Sequence, residues 1–252
     1  MNKFWIGIHM GKFVNLALLL FIFFLSSCSS NKKEKYLHFV TSAVYPPFEY
    51  SEHGEIKGFD IDLAKLIAKE LGKEAVFDNM QFSTVLPAIS SGQDDIAIAT
   101  ITITEARKNN FDFSEPYYFD GIASVYRSNQ PVITQNQLKG KKVAVQLGSI
   151  MEIWLRETFP QVETTVLDNN NQAIESLISG RVDVVLMDGV QGKIFSKKYT
   201  ELSYSLIAKA DYGYALAVKK GSPLTTKINK ALQKLKADGS IQKLETIWLK
   251  DS

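Results

Sequence analysis

Side chains able to bind a carboxylate group follow an apolar stretch that ends near Ala99. Three threonines alternate with isoleucines from Thr100 to Thr104, and Arg107 comes about one helical turn later. Hydroxyl and backbone N–H groups at the end of a strand can hold a carboxylate, and a guanidinium grips one with two parallel donors. The pattern favours an anion site at Thr102 and Arg107, although a lone arginine here is also typical of a solvated charge at a helix start.

Two further groups would complete a site for a zwitterion. Gly148, Ser149 and Ile150 open an expected helix, whose first N–H groups attract anions. Asp188 ends an apolar strand, where its carboxylate can accept hydrogen bonds from an ammonium group, although an Asp-Gly pair is also a common turn. A carboxylate clamp and an ammonium acceptor together match an α-amino acid.

Tyr45 and Phe82 are the aromatic residues expected to form the walls of such a site. Aromatic faces suit an aliphatic stem, an amide or a guanidinium. Pro46 and Pro47 stiffen the loop that carries Tyr45. Both aromatic side chains could equally belong to the core, and the sequence alone leaves the two interpretations open.

The composition argues against several other kinds of chemistry. His38 and His53 are the only histidines after residue 28, and Cys28 is the only cysteine, so no metal site is expected. The sequence contains no phosphate-binding loop, dinucleotide fingerprint or nucleophile elbow, and no cofactor is expected. The 29 basic residues nearly balance the 27 acidic ones, and two of the basic residues, Lys3 and Lys12, lie near the N-terminus. Without these two lysines the rest of the chain has no net charge, which gives no indication of a basic surface for nucleic acid. Acid–base catalysis by carboxylates stays open.

The first 27 residues predict a secretory signal peptide. Lys3 and Lys12 flank a positive region, residues 13–25 are almost wholly apolar, and small residues follow. The apolar run is shorter than a membrane-spanning helix needs, although an uncleaved anchor is the alternative. The run LSSC at residues 25–28 resembles a bacterial lipobox, which predicts that Cys28 is lipidated and that residues 28–35 are a tether to the membrane.

Short apolar strands alternate with helical patterns after residue 36. Strands are predicted at Leu37–Thr41, Ala75–Asp78 and Ile96–Thr100, and helices at Ile61–Leu71 and Ser83–Ser91. The alternation restarts with strands at 142–145, 182–187 and 214–218, helices at 149–159 and 172–179, and a helical C-terminal region after residue 223. Strands separated by helices of this length predict βαβ units and an α/β fold with parallel sheets.

Two similar segments within the sequence predict two lobes of the same kind. The segment ISSGQDDIAI at Ile89–Ile98 resembles LISGRVDVVL at Leu177–Leu186, and in each a helix ends in Ser-Gly before an aspartate and an apolar strand. Open parallel sheets bind ligands at the carboxyl ends of their strands, which points to Ala99–Thr102 in one lobe and Asp188 in the other. Connections in which a helix ends at a glycine before a strand are common, however, so the similarity of the two segments could be coincidental.

Five motifs resemble the polar amino acid solute-binding proteins of ABC transporters. In chain order they are YPPFEY at 45–50, GFDIDLAKLIAKELG at 58–72, ATITITEARK at 99–108, FDFSEPYY at 111–118 and LKGKKVAVQLGS at 138–149. The resemblance spans residues 37–249 and implies a two-lobed periplasmic-binding-protein-like fold of type II, with a parallel-rich sheet flanked by helices in each lobe. It implies lobe 1 at 36–121 and 216–252 and lobe 2 at 122–215, joined by a two-strand hinge near 119–124 and 213–217.

The resemblance also implies how and where the protein works. A protein of this kind is a monomer outside the cytoplasm that captures an amino acid by hinge closure and delivers it to an ABC transporter permease. With a lipidated Cys28, the expectation is a protein anchored at the periplasmic or extracytoplasmic face of the cell membrane. No enzymatic activity is expected.

Positions that match the motifs fall into three groups around the expected ligand. The positions expected at its carboxylate are Arg107, Thr102, Ser149 and Ile150. The positions expected at its ammonium are Asp188, Thr100 and Ala99. The positions expected around its side chain are Tyr45, Phe82, Ser42, Asp60, Gln146 and Met187.

Four of these positions bear on which amino acid is bound. Ser42 stands where binders of basic ligands often carry an acid, and Met187 is apolar; both features weaken the case for a basic ligand. Gln146 precedes a Leu-Gly-Ser turn as in several arginine binders, and Asp60 is expected to reach the end of the side chain. The balance favours arginine, with glutamine or another polar amino acid as the alternative.

Two other functions are compatible with the same resemblance. Some proteins of this fold are cyclohexadienyl dehydratases, which need a carboxylic acid in the cleft to protonate a leaving group, and Glu49 or Asp60 could serve. A module that reports an amino acid to a membrane partner is the third candidate.

Overall fold

The structure is a computed structural model that describes residues 35–209 and 213–250. The predicted signal peptide, Cys28 and the tether up to residue 34 lie outside the described residues. The strands in the described ranges are β1 (Tyr36–Thr41), β2 (Val44–Tyr45), β3 (Glu49–Glu52), β4 (Glu55–Lys57), β5 (Glu74–Asn79), β6 (Ile96–Ala97), β7 (Phe111–Phe113), β8 (Gly121–Arg127), β9 (Lys142–Gln146), β10 (Glu163–Leu167), β11 (Val184–Asp188), β12 (Leu202–Lys209) and β13 (Ala217–Lys219). The α-helices are α1 (Phe59–Glu70), α2 (Phe82–Ser91), α3 (Glu105–Lys108), α4 (Ile150–Thr158), α5 (Asn170–Ile178), α6 (Gly189–Lys198), α7 (Leu224–Ala237) and α8 (Ser240–Trp248).

The first sheet has the strand order β5-β1-β6-β13-β7. Strand β1 pairs in parallel with β5 and β6, whereas β13 is antiparallel to its neighbours. Phe39 and Val40 are both fully buried, because successive residues of a strand point to opposite faces and helices cover both. Phe39 packs in a cluster with Leu63 of α1 and Leu232 of α7, and Val40 packs in another with Val85 of α2.

The second sheet has the order β10-β9-β11-β8-β12, with β9 parallel to β10 and β11 and with β8 antiparallel to β11 and β12. Its central strands also alternate between two buried clusters. Val143 and Leu186 face one cluster, and Ala144 and Val185 face the other. The smaller antiparallel sheet β2-β3-β4 carries Tyr45 beside the first sheet.

The predicted helices and most of the predicted strands form, with their ends shifted by one to a few residues. Helices α1 and α2 end before Gly72 and Gly92, whose φ angles are +69° and +76°. The third strand is shorter than predicted: β6 ends at Ala97, and Thr100 has a φ of +48°. The last strand starts at Ala217 rather than at the predicted residue 214.

The chain passes between the two sheets twice. It leaves the first sheet after β7, enters the second at β8, and returns between β12 and β13. The two crossing segments bind each other: Tyr214 N donates to the carbonyl of Tyr118 at 2.8 Å, and Tyr117 N donates to the carbonyl of Tyr214 at 2.9 Å. The exact limits of the lobes, 36–121 with 216–252 and 122–215, stay a prediction.

Among the described helices, none combines the length and apolar character that crossing a membrane requires.

Candidate ligand-binding site

A small cavity lies where the two sheets face each other. Its lining residues come from both sheets and the segments that follow their strands: Tyr45, Phe82, Thr100, Thr102, Arg107, Gln146, Ser149, Ile150, Met151, Asn170, Leu186, Met187 and Asp188. The sequence predicted ten of these thirteen positions.

Arg107 brings a buried positive charge to this cavity. It lies in the short helix α3, where the Thr104 side chain accepts a hydrogen bond from Arg107 N at 3.1 Å. Its Nη1 donates to the carbonyl of Thr102 at 2.6 Å, and its Nη2 donates to the carbonyl of Gly148 in the other lobe at 2.8 Å. Burial lowers the pKa of Arg107 to about 10, and Asp188 opposes that shift. The guanidinium therefore stays protonated at neutral pH and can bind an anion.

The start of helix α4 faces the cavity from the second lobe. Gly148 has a φ of +76°, and the Ser149 hydroxyl caps the helix by accepting a hydrogen bond from Glu152 N at 3.2 Å. Ser149 N already donates to the carbonyl of Gln146 at 3.1 Å, so this predicted donor has a partner within the turn. The N–H groups of Ile150 and Met151 begin the helix and have no acceptor inside it, which makes them the donors for an anion.

Asp188 ends strand β11 and provides the carboxylate of the cavity. Tyr45, from the other lobe, donates a hydrogen bond from its hydroxyl to Asp188 Oδ2. Burial, followed by repulsion from Asp120, raises the pKa of Asp188 to about 7. An ammonium group bound here would favour the ionised carboxylate, because an opposite charge lowers the pKa of an acid.

Three predicted positions lie outside the lining of the cavity: Ser42, Ala99 and Asp60. Asp60 is fully buried, and its Oδ2 accepts hydrogen bonds from Thr100 N at 3.0 Å and from the Tyr117 hydroxyl at 2.8 Å. It therefore lies behind Thr100 instead of reaching towards a ligand side chain. The carbonyls of Ser42 and Ala99 accept local hydrogen bonds from Val44 N and from the Thr100 hydroxyl.

Direct contacts join the two lobes around the cavity. Besides the bonds from Tyr45 to Asp188 and from Arg107 to Gly148, Gln191 Nε2 donates to the carbonyl of Pro46. Gln191 lies in helix α6, whose Val190 also packs in the apolar cluster of the first sheet. These bonds hold the two sheets in a closed arrangement.

A sequence profile of the bacterial extracellular solute-binding proteins, family 3, matches residues 37–251. The chain belongs to that family.

Known proteins similar to this family 3 protein bind amino acids. The arginine-binding extracellular protein ArtP of Bacillus subtilis is 36% identical over 228 residues, which cover 88% of this chain and 89% of ArtP. A solved structure of an ancestral arginine-binding protein bound to arginine has a TM-score of 0.81 and 39% identity, over 85% of this chain and 98% of that one. An ancestral amino acid-binding protein, a precursor of cyclohexadienyl dehydratase, has a TM-score of 0.80 and 31% identity, over 89% of this chain and 100% of that one.

These comparisons confirm the family and the two-lobed α/β fold that the sequence motifs predicted. Three lining residues of the family 3 protein, Met151, Asn170 and Leu186, were not predicted from the sequence. Asn170 is the first residue of helix α5, and the Asn169 side chain caps that helix by accepting a hydrogen bond from Gln172 N. The run of three asparagines at 169–171 was the available signal, since asparagine favours the first position before a helix.

Proposed function

We propose that this protein binds a polar L-amino acid, arginine in preference, and delivers it to the permease of an ABC transporter. The observation that carries the proposal is the pair of opposite charges in one cavity: Arg107 from the first lobe and Asp188 from the second. A zwitterion satisfies both charges at once. The arginine-binding relatives support the choice of ligand.

Each end of the ligand has a set of partners in this proposal. Arg107, Thr102 and the N–H of Ile150 bind its carboxylate, and Asp188 binds its ammonium together with a carbonyl near Thr100. Tyr45 and Phe82 contact the aliphatic part of the side chain. The ligand binds the first lobe before the lobes close, because Asp188 and the start of α4 arrive with the second lobe.

The far end of the side chain distinguishes arginine from glutamine. The amide side chains of Gln146 and Asn170 line the cavity and suit either ligand. Asp188 is the one carboxylate in the lining, and in this proposal it binds the ammonium at the other end of the ligand. Titration calorimetry with arginine, glutamine, lysine and histidine tests the choice, and we expect arginine to bind most tightly. Tighter binding of glutamine would keep the binding function and replace the ligand, and the absence of heat from every amino acid would overturn the function.

A second candidate function is a dehydratase, favoured by the similarity to the precursor of cyclohexadienyl dehydratase. The acids that the sequence offered for it, Glu49 and Asp60, are buried outside the lining of the cavity, which favours the binding function. Formation of product from prephenate or arogenate would support the enzyme instead.

The location of the protein is also part of the proposal. Residues 1–27 are a signal peptide, and Cys28 carries the lipid that holds a monomer at the extracytoplasmic face of the cell membrane. Mass spectrometry of the purified mature protein tests this, with an acylated Cys28 as the expected N-terminal residue. An unmodified Cys28 would overturn the anchor, and light scattering would test the monomer.

A further inference from the structure

The first turn of helix α6 is capped by a residue from outside the helix. Asp188 precedes the helix, where an aspartate ordinarily accepts a hydrogen bond from the first N–H groups, but its side chain makes no such bond. Instead Val190 N donates to Asp120 Oδ2 at 2.9 Å, and Gly121 N donates to Asp120 Oδ1 at 2.7 Å. The capping carboxylate therefore comes from the segment that crosses into the second lobe.

Gly189 makes this close approach possible. A Cβ at position 189 would lie 2.6 Å from Asp120 Oδ1 and 2.7 Å from the side chain of Leu206, so a larger residue would push the carboxylate away from the helix. The sequence pair Asp188-Gly189 therefore has two separate uses in the structure. Its aspartate lines the ligand cavity, and its glycine leaves room for the aspartate that caps the helix.

This exchange of roles leaves the Asp188 carboxylate available to a ligand. Strand β11 ends at Asp188, which lies opposite Ile122 of β8, two residues after Asp120. One aspartate is bound to the start of helix α6, and the other lines the cavity. The cap also fixes the backbone beside Asp188, because the N–H groups of a first helical turn have no partner inside the helix.

The charge of Asp120 acts on Asp188 as well. After burial, repulsion from Asp120 is the main cause that raises the pKa of Asp188 to about 7. Burial also raises the pKa of Asp120, but the N–H groups of Val190 and Gly121 oppose that change because they bind the ionised form. We therefore expect Asp188 to take up a proton before Asp120 as the pH falls.

Other titratable and charged groups face the two aspartates. Those around Asp188 come from β2, β3, α3 and the second crossing segment: Tyr45, Glu49, Arg107 and Tyr214. Those beside Asp120 are Tyr118 and Lys209, and Lys209 is exposed in β12 opposite Gly121. Raised pKa values keep the three tyrosines and Glu49 neutral, the guanidinium stays charged, and solvent screens the lysine. Asp120 is thus the half-buried negative charge that opposes ionisation of Asp188.

We propose that Asp120 is a positioning residue of the ligand site. It caps helix α6 in place of Asp188, which leaves the Asp188 carboxylate free for the ammonium of the ligand, and its charge sets the pH range in which the ligand binds. The inference rests on the proposed assignment of the ammonium to Asp188. Asp120 is not among the residues that line the cavity, so it acts on the ligand through Asp188.

The first test is isothermal titration of the purified mature protein with L-arginine near pH 6 and near pH 8. The parent should bind about tenfold more weakly at the lower pH. Asp120→Asn keeps an acceptor for Val190 N but removes the charge, so this difference should shrink to about threefold. Asp120→Ala removes the acceptor too, and should also weaken binding near pH 8 by about fivefold.

Asp183→Asn is the matched control. Asp183 directly precedes β11, at the opposite end of the strand from Asp188, and it also accepts a backbone hydrogen bond, from Lys142 N at 3.0 Å. The length of the strand places the two aspartates about 17 Å apart. This variant loses the same charge and should keep the tenfold difference of the parent. An unchanged difference in Asp120→Asn, or an equal reduction in Asp183→Asn, would overturn the proposal.

The second test needs no ligand. Aspartate labelled with ¹³C at the carboxyl carbon reports each titration by NMR, and Asp188→Asn identifies the signal of Asp188. Its midpoint should lie near pH 7 in the parent and at least about half a pH unit lower in Asp120→Asn. A midpoint that does not move would overturn the action of Asp120, whichever ligand the protein binds. A midpoint that moves, in a parent that binds arginine equally at both pH values, would instead overturn the assignment of the ammonium to Asp188.

Discussion

Glu49 and Asp60 lie next to each other behind the wall of the ligand cavity, and both bind Thr100. The Thr100 N–H donates to Asp60 Oδ2 at 3.0 Å, and its hydroxyl lies 3.4 Å from Glu49 Oε1. Burial raises the pKa of Asp60 to about 6 and that of Glu49 well above its ordinary value, with repulsion from Asp60 adding to the second shift. The raised pKa favours the protonated form of Glu49, and the two acids together bind Thr100, whose φ is +48°.

Removing the Glu49 carboxyl group should therefore disturb both stability and ligand binding. Glu49→Ala should lower the free energy of unfolding by about 2–4 kcal/mol, because it removes the partner of the Thr100 hydroxyl and leaves an empty space beside buried Asp60. Glu49→Gln keeps a neutral donor of the same shape and should cost about 1 kcal/mol or less. Denaturant unfolding of the two variants measures the difference. Equal losses in both would show that a neutral amide of the same shape cannot replace the carboxyl group.

Stability should decrease as pH rises from 3.8, the ordinary aspartate pKa, to about 7. The pKa values of Asp60 and Asp188 are raised to about 6 and about 7, so the folded protein keeps protons that the unfolded chain has already lost. This contribution is complete below the ordinary aspartate pKa of 3.8 and is lost as pH rises through the folded values. Thermal unfolding of the protein without added ligand should show it, and Asp188→Asn should remove the upper part of the dependence.

Ligand binding should show the opposite dependence on pH. A bound ammonium group favours ionised Asp188, so binding releases a proton when the pH is below its pKa of about 7. The affinity should be about tenfold lower near pH 6 than near pH 8. Calorimetry in buffers of different ionisation heat measures both the affinity and the released proton. A flat profile in the parent protein would contradict the assignment of Asp188 to the ammonium.

Arg107→Ala should weaken amino acid binding by about 2–3 kcal/mol, the scale of a hydrogen bond to a charged group. The neighbouring Lys108 lies on the same short helix, half-buried and paired with Glu105 at 2.8 Å outside the cavity lining, so Lys108→Ala is the matched control and should leave the affinity unchanged. Isothermal titration of both variants, with thermal unfolding to check the fold, measures the effect. If Arg107→Ala binds as tightly as the parent, the carboxylate is held elsewhere.

Gly213 should tolerate no side chain. A Cβ at this position would meet the carbonyl oxygen of Tyr118, within the pair of segments that joins the lobes. Gly213→Ala should destabilise the protein by about 1–3 kcal/mol. Gly221→Ala is an informative comparison, since a Cβ there meets no atom and the cost comes only from its positive φ of +78°. Similar losses in the two variants would show that the contact with Tyr118 is not limiting.

The sequence was sufficient for features that depend on local pattern. Helices α1 and α2 were predictable because apolar residues repeat at helical spacing and a glycine follows each helix. The end of β6 was not predictable, because the conformation of Thr100 depends on Glu49 and Asp60, which are distant along the chain.

The same difference between local pattern and distant contacts explains which residues of the cavity could be predicted from the sequence. Arg107 and Asp188 follow strands at the ends where ligands bind, so the family pattern and the strand ends both indicated them. Met151 and Leu186 carry apolar side chains that look like core in the sequence, and only the packing of the lobes shows that they also face the cavity. Asp60 was expected at the ligand because its charge, and not its complete burial, is visible in the sequence.

The bonded pair of crossing segments at Tyr118 and Tyr214 also determines how the molecule can move. Two antiparallel segments that are hydrogen-bonded to each other are expected to bend together as one hinge and to resist twisting. We therefore expect the second lobe to follow the same path of closure whichever amino acid is bound. Amino acids of different length would stop the same swing at different angles, and a partner that senses this angle could tell them apart without touching them.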